Sequence, residues 1–418
     1  MIQRPTVYFA LILGSLGFSQ LNAQDSPNQD IKQGQNLAQA IHASEELLSK
    51  FPKNDFTPNV MFQLVELYAK RSVLNFERDM LIFEVAEENH DKGLTATEPV
   101  FPKIDYSDAI SLATTLLEKF PNAGFSDKVI YRIAYCYLEQ GDDAFAMEYF
   151  ERLAQETDDK QLLEEAYFRL GEYNFEQKHY RTAIDYYDRP LTSWDSPYFD
   201  MALYKLGWSQ YNIDNYSEAI GYFLYLIDDI KLLERLETEL AGKTKTDLHA
   251  EAIEYAAICF AEFGGAEKAR EFLSEHKDKP YTKTILLHLV DILQKRNFYT
   301  DAIDALKVLL DFYADEPEAA QFQKRIVENY ELAGENKKAD AARETLISEY
   351  GPGSDWLARL GDDDIKKDVL SVAENFLYTL GTAAQERARQ TQDITEYDLA
   401  IEKYQRFIEK FASSDRVA

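Results

Sequence analysis

Six times along this chain a small or apolar residue is followed, twelve positions later, by an alanine that opens an amphipathic stretch. The pairs are Ala134/Ala146, Gly171/Ala183, Gly207/Ala219, Ala257/Ala269, Val290/Ala302 and Val327/Ala339. The second members lie 37, 36, 50, 33 and 37 residues apart. A period in the mid-thirties with a constant internal offset describes one helix–turn–helix unit repeated along the chain. Such a unit cannot bury its apolar face alone, so neighbours must stack into a solenoid. That constraint makes the chain all-α and leaves it a long surface for partners.

The unit around Gly171 shows why these residues form two helices. Tyr167, Leu170, Gly171 and Asn174/Phe175 follow i, i+3, i+4, i+7/i+8 spacing, which places them on one helix face. Lys178-His179 breaks the pattern, and Tyr180 to Tyr187 begins the second helix. Gly171 and Ala183 are expected where the two helices cross most closely, with Tyr180 and Tyr187 filling the space around them. The next unit repeats the arrangement with Leu203, Leu206, Gly207 and Trp208, then Tyr216, Ala219, Tyr222 and Phe223.

These residues resemble the tetratricopeptide repeat family. The likeness rests on the two small positions, on the aromatic three residues before the second alanine (Tyr180, Tyr216, Tyr299), and on the large residue four after it (Phe150, Tyr187, Phe223). Phe-Pro stops at Phe51-Pro52 and Phe120-Pro121 add to it. The resemblance covers most of residues 32–418 and implies a right-handed superhelical solenoid of helix–turn–helix repeats. Three positions depart from the pattern: Val290 and Val327 replace the small residue, and Arg343 stands where Phe is usual.

Composition fits this class. Apolar residues make up 45% of the 418, and 12 prolines with 17 glycines are too few for a disordered chain. The 27 tyrosines and 25 phenylalanines suit packing between helices at the repeat spacing. A net charge of −29 disfavours nucleic acid, because phosphate binding needs clustered Lys and Arg. Acidic residues could line a concave groove and attract a basic partner segment. The plainer alternative is a solvated surface that keeps the chain soluble.

The N-terminus carries a different signal. Arg4 precedes the apolar run Val7 to Phe18, and Leu21-Asn22-Ala23 offers a small residue before Gln24. The pattern is that of a secretory signal peptide over residues 1–23, cleaved after Ala23. No later apolar run is long enough to span a bilayer, so the mature chain is expected to have no integral membrane segment. The localisation expected is periplasmic, with outer-membrane association only through partners. Cys136 and Cys259, the only cysteines, sit among apolar neighbours and are expected to be unpaired core residues.

Residues 24–33 read as a polar linker and 34–125 as an enlarged N-terminal unit, with helices over about 34–50 and 58–88 and a loop over 89–104. Residues 126–350 carry the regular repeats with an insertion near 230–246, where the alanine spacing stretches. Gly351-Pro352-Gly353-Ser354 opens a linker over 351–364. Asp362, Asp363 and Asp364 would favour the start of the helix that follows. Residues 365–418 form a further unit, expected either to continue beyond Ala418 or to finish against a partner.

No phosphate-binding Gly loop, His-Glu-x-x-His, Gly-x-Ser-x-Gly or Cys-x-x-Cys occurs, and the six histidines are scattered singly. No catalytic, metal or cofactor residue is therefore assigned, and the chain is expected not to be an enzyme. Loops 89–104 and 230–246 are candidates for specific contacts, since loops that interrupt a periodic scaffold often carry them. Trp194, Tyr198 and Trp208, with Tyr204 and Tyr211, form the candidate partner-binding aromatic cluster, packing of a turn being the alternative. The run Tyr198 to Tyr211 and its continuation Ala252 to Glu262 look like exported repeat proteins of envelope machines, gliding-motility complexes among them. The Phe-Pro stops are similar to those of cell-division and Tol–Pal-associated repeat proteins. Both imply a noncatalytic adaptor binding protein partners in the cell envelope. A cell-wall-processing enzyme with an unrecognised carboxylate site is the reading from another class.

The small second position gives the first test. Ala183→Leu is expected to overpack the helix crossing and lower the unfolding free energy by roughly 1–3 kcal/mol. An unchanged urea midpoint would remove the crossing from that position.

Overall fold

The computed structural model describes residues 27–192, 196–228 and 244–417. All regular structure among them is helical. The chain divides into two compact units, Met1–His179 and Tyr180–Ala418. The first contains α1 (Pro27–Lys50), α2 (Thr57–Asp91), α3 (Ser107–Lys119), α4 (Ser126–Gln140), α5 (Asp143–Glu156) and α6 (Lys160–Glu176). The second contains α7 (Tyr180–Tyr187), α8 (Phe199–Asn212), α9 (Tyr216–Asp228), α10 (Thr244–Glu262), α11 (Gly265–Leu273), α12 (Pro280–Lys295), α13 (Tyr299–Tyr313), α14 (Ala319–Leu332), α15 (Asn336–Glu349), α16 (Asp355–Arg359), α17 (Asp363–Thr391) and α18 (Ile394–Lys410). Within each unit successive helices pack on one another, and most connections are too short for anything but antiparallel neighbours.

The turn inside each helix pair has one geometry. Gly141, Lys178, Asp214, Gly264, Asn297 and Gly334 take left-handed backbone, with φ of 80°, 62°, 61°, 80°, 64° and 73°. Each stands five residues before the alanine of its pair. The following amide donates to a carbonyl five residues back in five of the six turns: Asp142 to Tyr137, His179 to Asn174, Asn215 to Gln210, Phe298 to Leu293 and Glu335 to Tyr330, at 2.8–2.9 Å. This bond closes the end of the first helix and aims the chain back along it. Three of the six turns do without glycine, and an L-residue there costs roughly 1–2 kcal/mol.

The second helix then returns with its alanine buried. Ala146, Ala183, Ala219, Ala269, Ala302 and Ala339 are wholly inaccessible, as are Ala134, Ala257, Val290 and Val327; Gly171 and Gly207 are buried too. The crossing is tight at Gly207, where a Cβ atom would stand 2.6 Å from the Phe223 ring. Phe223 is itself fully buried, so its ring has no free space to yield. Around this contact the core of the second unit runs from Phe199 and Leu203 through Ile220, Phe260, Leu286 and Leu306 to Ile326.

Several boundaries differ from the sequence expectation. α1 begins at Pro27, inside the segment read as a polar linker; proline is favoured at the first helical position because it has no N–H to leave unpaired. α2 runs on to Asp91, into the expected loop. Residues 351–364 are not a bare linker: α16 lies within them, and its Trp356 is buried edge-on to Tyr350 at 5.1 Å. Asp362 caps α17 by accepting from the amides of Asp364 and Ile365. Arg343 is buried where a phenylalanine is usual, paired to Asp340 at 2.6 Å and to Glu331, with its guanidinium 5.7 Å from the Phe376 ring centre. The cation is tolerated because carboxylates and a ring face replace the water it loses. Residues 1–23 and the insertion up to residue 243 lie outside the described residues.

Two helical glycines should respond in opposite senses. Gly207→Ala is expected to destabilise by about 1–3 kcal/mol through the clash with Phe223. Gly221 is exposed on α9 with open space around it, so Gly221→Ala should stabilise by about 0.5–1 kcal/mol. Chemical denaturation of both variants decides the matter, and equal signs would refute the close crossing.

Candidate partner-binding face

The first helix of each pair carries side chains that reach the first helix of the next. In the first unit, Tyr131 on α4 donates to Glu165 on α6 at 2.9 Å, and Tyr135 donates to the same carboxylate. Arg169 donates in turn to the Tyr135 oxygen at 2.9 Å. Arg132 on α4 grips Glu66 on α2 through two bonds of 2.6 and 2.5 Å, a bidentate geometry that fixes direction as well as charge. Burial, aided by Glu165, pushes the Tyr131 phenol far above its ordinary range, so it remains a donor.

The second unit repeats the device. Tyr204 on α8 donates to Glu251 on α10 at 2.6 Å. Arg296, at the end of α12, reaches Glu262 on α10 at 2.7 Å, and Arg325 on α14 reaches Asp291 and Gln294 on α12 at 2.5 and 2.7 Å. Tyr131–Glu165, Tyr135–Arg169, Glu262–Arg296 and Asp291–Arg325 are each 34 residues apart. These polar rungs set the register between stacked repeats. They also engage Glu66, Glu165, Glu251, Glu262 and Asp291, so these five carboxylates are matched internally rather than presented bare.

Beside the rungs lies an aromatic strip. Trp208 stands edge-to-face with Tyr255 at 4.3 Å and with Tyr211 at 5.6 Å between ring centres. Tyr211 continues to Tyr216 at 5.5 Å, and Tyr204 lies 6.1 Å from Tyr255. Trp208, Tyr211 and Tyr255 pack against the core yet keep part of each ring exposed. Of the five residues singled out from the sequence, Tyr204, Trp208 and Tyr211 meet here. Tyr198 is half-buried at the N-cap of α8, and Trp194 lies outside the described residues. Tyr255, one repeat on, joins a cluster that sequence reading confined to one turn and the helix after it.

Other candidate chemistry is structural or unplaced. Both cysteines are free and buried, and burial pushes each thiol up to about 12, away from thiolate reactivity. A groove of about 370 Å³ between α9, α10 and α12 is lined by Asp228, His249, Ile253, Lys279 and Tyr281. Its polar groups satisfy one another: Asp228 accepts from Lys279 at 2.7 Å and Tyr281 at 3.0 Å. Burial raises the Asp228 carboxyl, but these two bonds outweigh it and hold the group below the usual carboxylate range. Among the described residues no helix is long and apolar enough to cross a membrane, and no three metal-ligating side chains cluster.

The tetratricopeptide repeat model matches residues 128–156 and 201–229, which are α4–α5 and α8–α9 with their turns. These two helix pairs therefore match the tetratricopeptide repeat, and the fold is an all-α, tetratricopeptide-like array of helix pairs. No curated protein matches significantly. Among solved structures, the C-terminal part of a tetratricopeptide repeat-containing protein from Cytophaga hutchinsonii is 15% identical, covering 74% of this chain and 95% of that one with a TM-score of 0.34. Naa15/Naa10 bound to HypK-THB is also 15% identical, over 91% of this chain and 52% of that one, with a TM-score of 0.36. Yeast Tom70 is 13% identical over 90% and 67%, with a TM-score of 0.32. Likenesses this distant add nothing to what the helix pairs themselves establish.

The rung between α8 and α10 is open to measurement. Tyr204→Phe removes a donor to a carboxylate in a half-buried site and is expected to cost about 1–2 kcal/mol. A denaturation midpoint equal to that of the parent chain would dismiss the bond as a register device.

Proposed function

We propose that the protein is a noncatalytic scaffold that is exported to the periplasm and binds partner proteins within a bacterial cell-envelope complex. The observation that carries the binding role is the half-exposed strip of Tyr204, Trp208, Tyr211 and Tyr255 on the first helices of the second unit. Rigid aromatic rings present large contact area at low entropic cost, and Trp and Tyr dominate binding hot spots. A partner helix or extended segment laid across these helices would meet fixed rings on a surface already held in register by the polar rungs. Because the nearby carboxylates are engaged, shape and aromatic contact supply the affinity on this face, with charge secondary.

Export rests on the sequence signals Arg4, Val7 to Phe18 and Ala23. Two buried, unpaired cysteines suit a fold that relies on packing in an oxidising compartment. Gliding-type envelope machinery is the specific setting favoured, with a Tol–Pal or division complex as the second choice.

A photo-crosslinker placed at Tyr211 in the native host is expected to trap one envelope protein, and Trp208→Ala to abolish the adduct without unfolding the chain. Raising salt from about 0.05 to 0.3 M should leave that affinity within about threefold, since the engaged charges exert little long-range field. Fractionation that finds the protein with an intact N-terminus in the cytoplasm would sink the export reading. Equal crosslinking at Tyr211 with and without Trp208 would sink the aromatic one.

A further inference from the structure

The second half of α2 is an amphipathic helix whose apolar stripe no other element covers among the described residues. α2 spans 35 residues, about 52 Å at 1.5 Å per residue, whereas α3, α4 and α5 hold 13 to 15. Its buried residues are Thr57, Met61, Leu64, Val65, Ala69 and Ser72, and none lies beyond. Leu67 and Leu74 still pack on the cluster formed with Leu37 and Ile41 of α1. The same stripe then continues without cover: Leu81, Ile82 and Val85 are 65%, 62% and 59% exposed. At 100° per residue they fall within one face with Leu74. The connection that follows packs on the opposite side, through Phe83 against Phe101 at 5.3 Å and His90 Nδ1 against the Thr95 carbonyl at 3.1 Å, and leaves the stripe open.

Charge names the occupant. Between Phe76 and Lys92 the helix carries Glu77, Asp79, Glu84, Glu87, Glu88 and Asp91 against one arginine, Arg78. Glu77, Glu84, Glu88 and Asp91, spaced 7, 4 and 3 residues, line one flank of the stripe. Arg78 pairs with Asp79 at 3.2 Å and Lys92 with Glu88, while Glu84, Glu87 and Asp91 make no ion pair among the described residues. Glu87, Glu88 and Asp91 also crowd the last turn, where the negative end of the helix dipole disfavours anions. Lysines or arginines on a partner would relieve both the mutual repulsion and the dipole conflict. A second copy of this chain would bring the same carboxylates and aggravate them.

We propose that the outer half of α2 is a docking site for a basic amphipathic helix of a partner protein. The partner's apolar stripe covers Leu81, Ile82 and Val85, and its Lys or Arg row faces Glu84, Glu88 and Asp91, as paired helices match apolar seams and flanking charges. The proposal extends the scaffold reading to a second surface, in the other unit from the aromatic strip, and stands or falls separately from it.

The test uses the full chain and two synthetic helical peptides, each with a leucine stripe, one flanked by lysines and the other by glutamates. The Leu/Lys peptide should bind by fluorescence anisotropy, weaken at least tenfold on raising the salt concentration tenfold, and weaken at least tenfold in Leu81→Ser/Val85→Ser. Because both side chains are exposed, that variant should melt with the parent. Glu84→Lys/Glu88→Lys should exchange the preference, losing the Leu/Lys peptide and gaining the Leu/Glu one. Binding of the Leu/Lys peptide that is unaffected by the serine variant would mean general attraction to an acidic chain and would overturn the proposal. So would binding of neither peptide, or a chain that sediments as a dimer until Leu81 and Val85 are replaced. Loss of the Tyr211 crosslink leaves this measurement unaffected, so failure of the one reading is distinguishable from failure of the other.

Discussion

Everything in the fold depends on how closely two helices of a pair can approach, and that distance is set by a side chain no larger than a methyl or a short branched group. At Gly207 even a methyl would enter the Phe223 ring at 2.6 Å. Elsewhere the alanine of the second helix occupies a site with no accessible surface. Dispersion and apolar burial fall steeply once a gap opens between packed surfaces, so the small residue governs the contact of the large ones around it. The left-handed turn residue five positions earlier works with it, because the turn fixes where along the first helix the alanine lands.

Stacking one pair on the next needs a second device, since apolar surfaces alone permit sliding. The polar rungs between first helices meet that need. A tyrosine or arginine on one helix finds a carboxylate at one distance and one height only; three such pairs, and the Arg169–Tyr135 bond beside them, share a separation of 34 residues. The same rungs change how the acidic composition is understood. Net charge allowed either a negative groove or a solvated acidic surface, and on the first-helix face Glu66, Glu165, Glu251, Glu262 and Asp291 are bonded to neighbouring repeats. Part of the uncompensated charge stands on the outer half of α2, where Glu84, Glu87 and Asp91 make no ion pair among the described residues.

The places where the chain departs from its repeat are each answered physically. Val290 and Val327 are fully buried, as are Ala302 and Ala339 of the same pairs, so the larger residue is accommodated inside the core. Arg343 brings a charge into a site that takes a ring in three other repeats and leucine in two, and Asp340, Glu331 and Phe376 surround it. Trp356 turns what reads as a Gly-Pro break into a packed segment, because burial of its large ring against Tyr350 offsets part of the cost of ordering the short backbone.

By itself the sequence determined the helix pairs, their order and the small residue at each crossing, because these depend on residues a few positions apart and on a repeated offset. It also marked Tyr204, Trp208 and Tyr211 as neighbours, since helical spacing places them so. Only the tertiary structure decided that Tyr255 completes the strip, that Glu165 and Arg132 serve as rungs, and that α2 outruns its partners after Leu74. Those facts depend on where one helix ends relative to another and on which surfaces remain uncovered. Burial and pairing are sums over residues distant in the chain, and a local pattern cannot contain them.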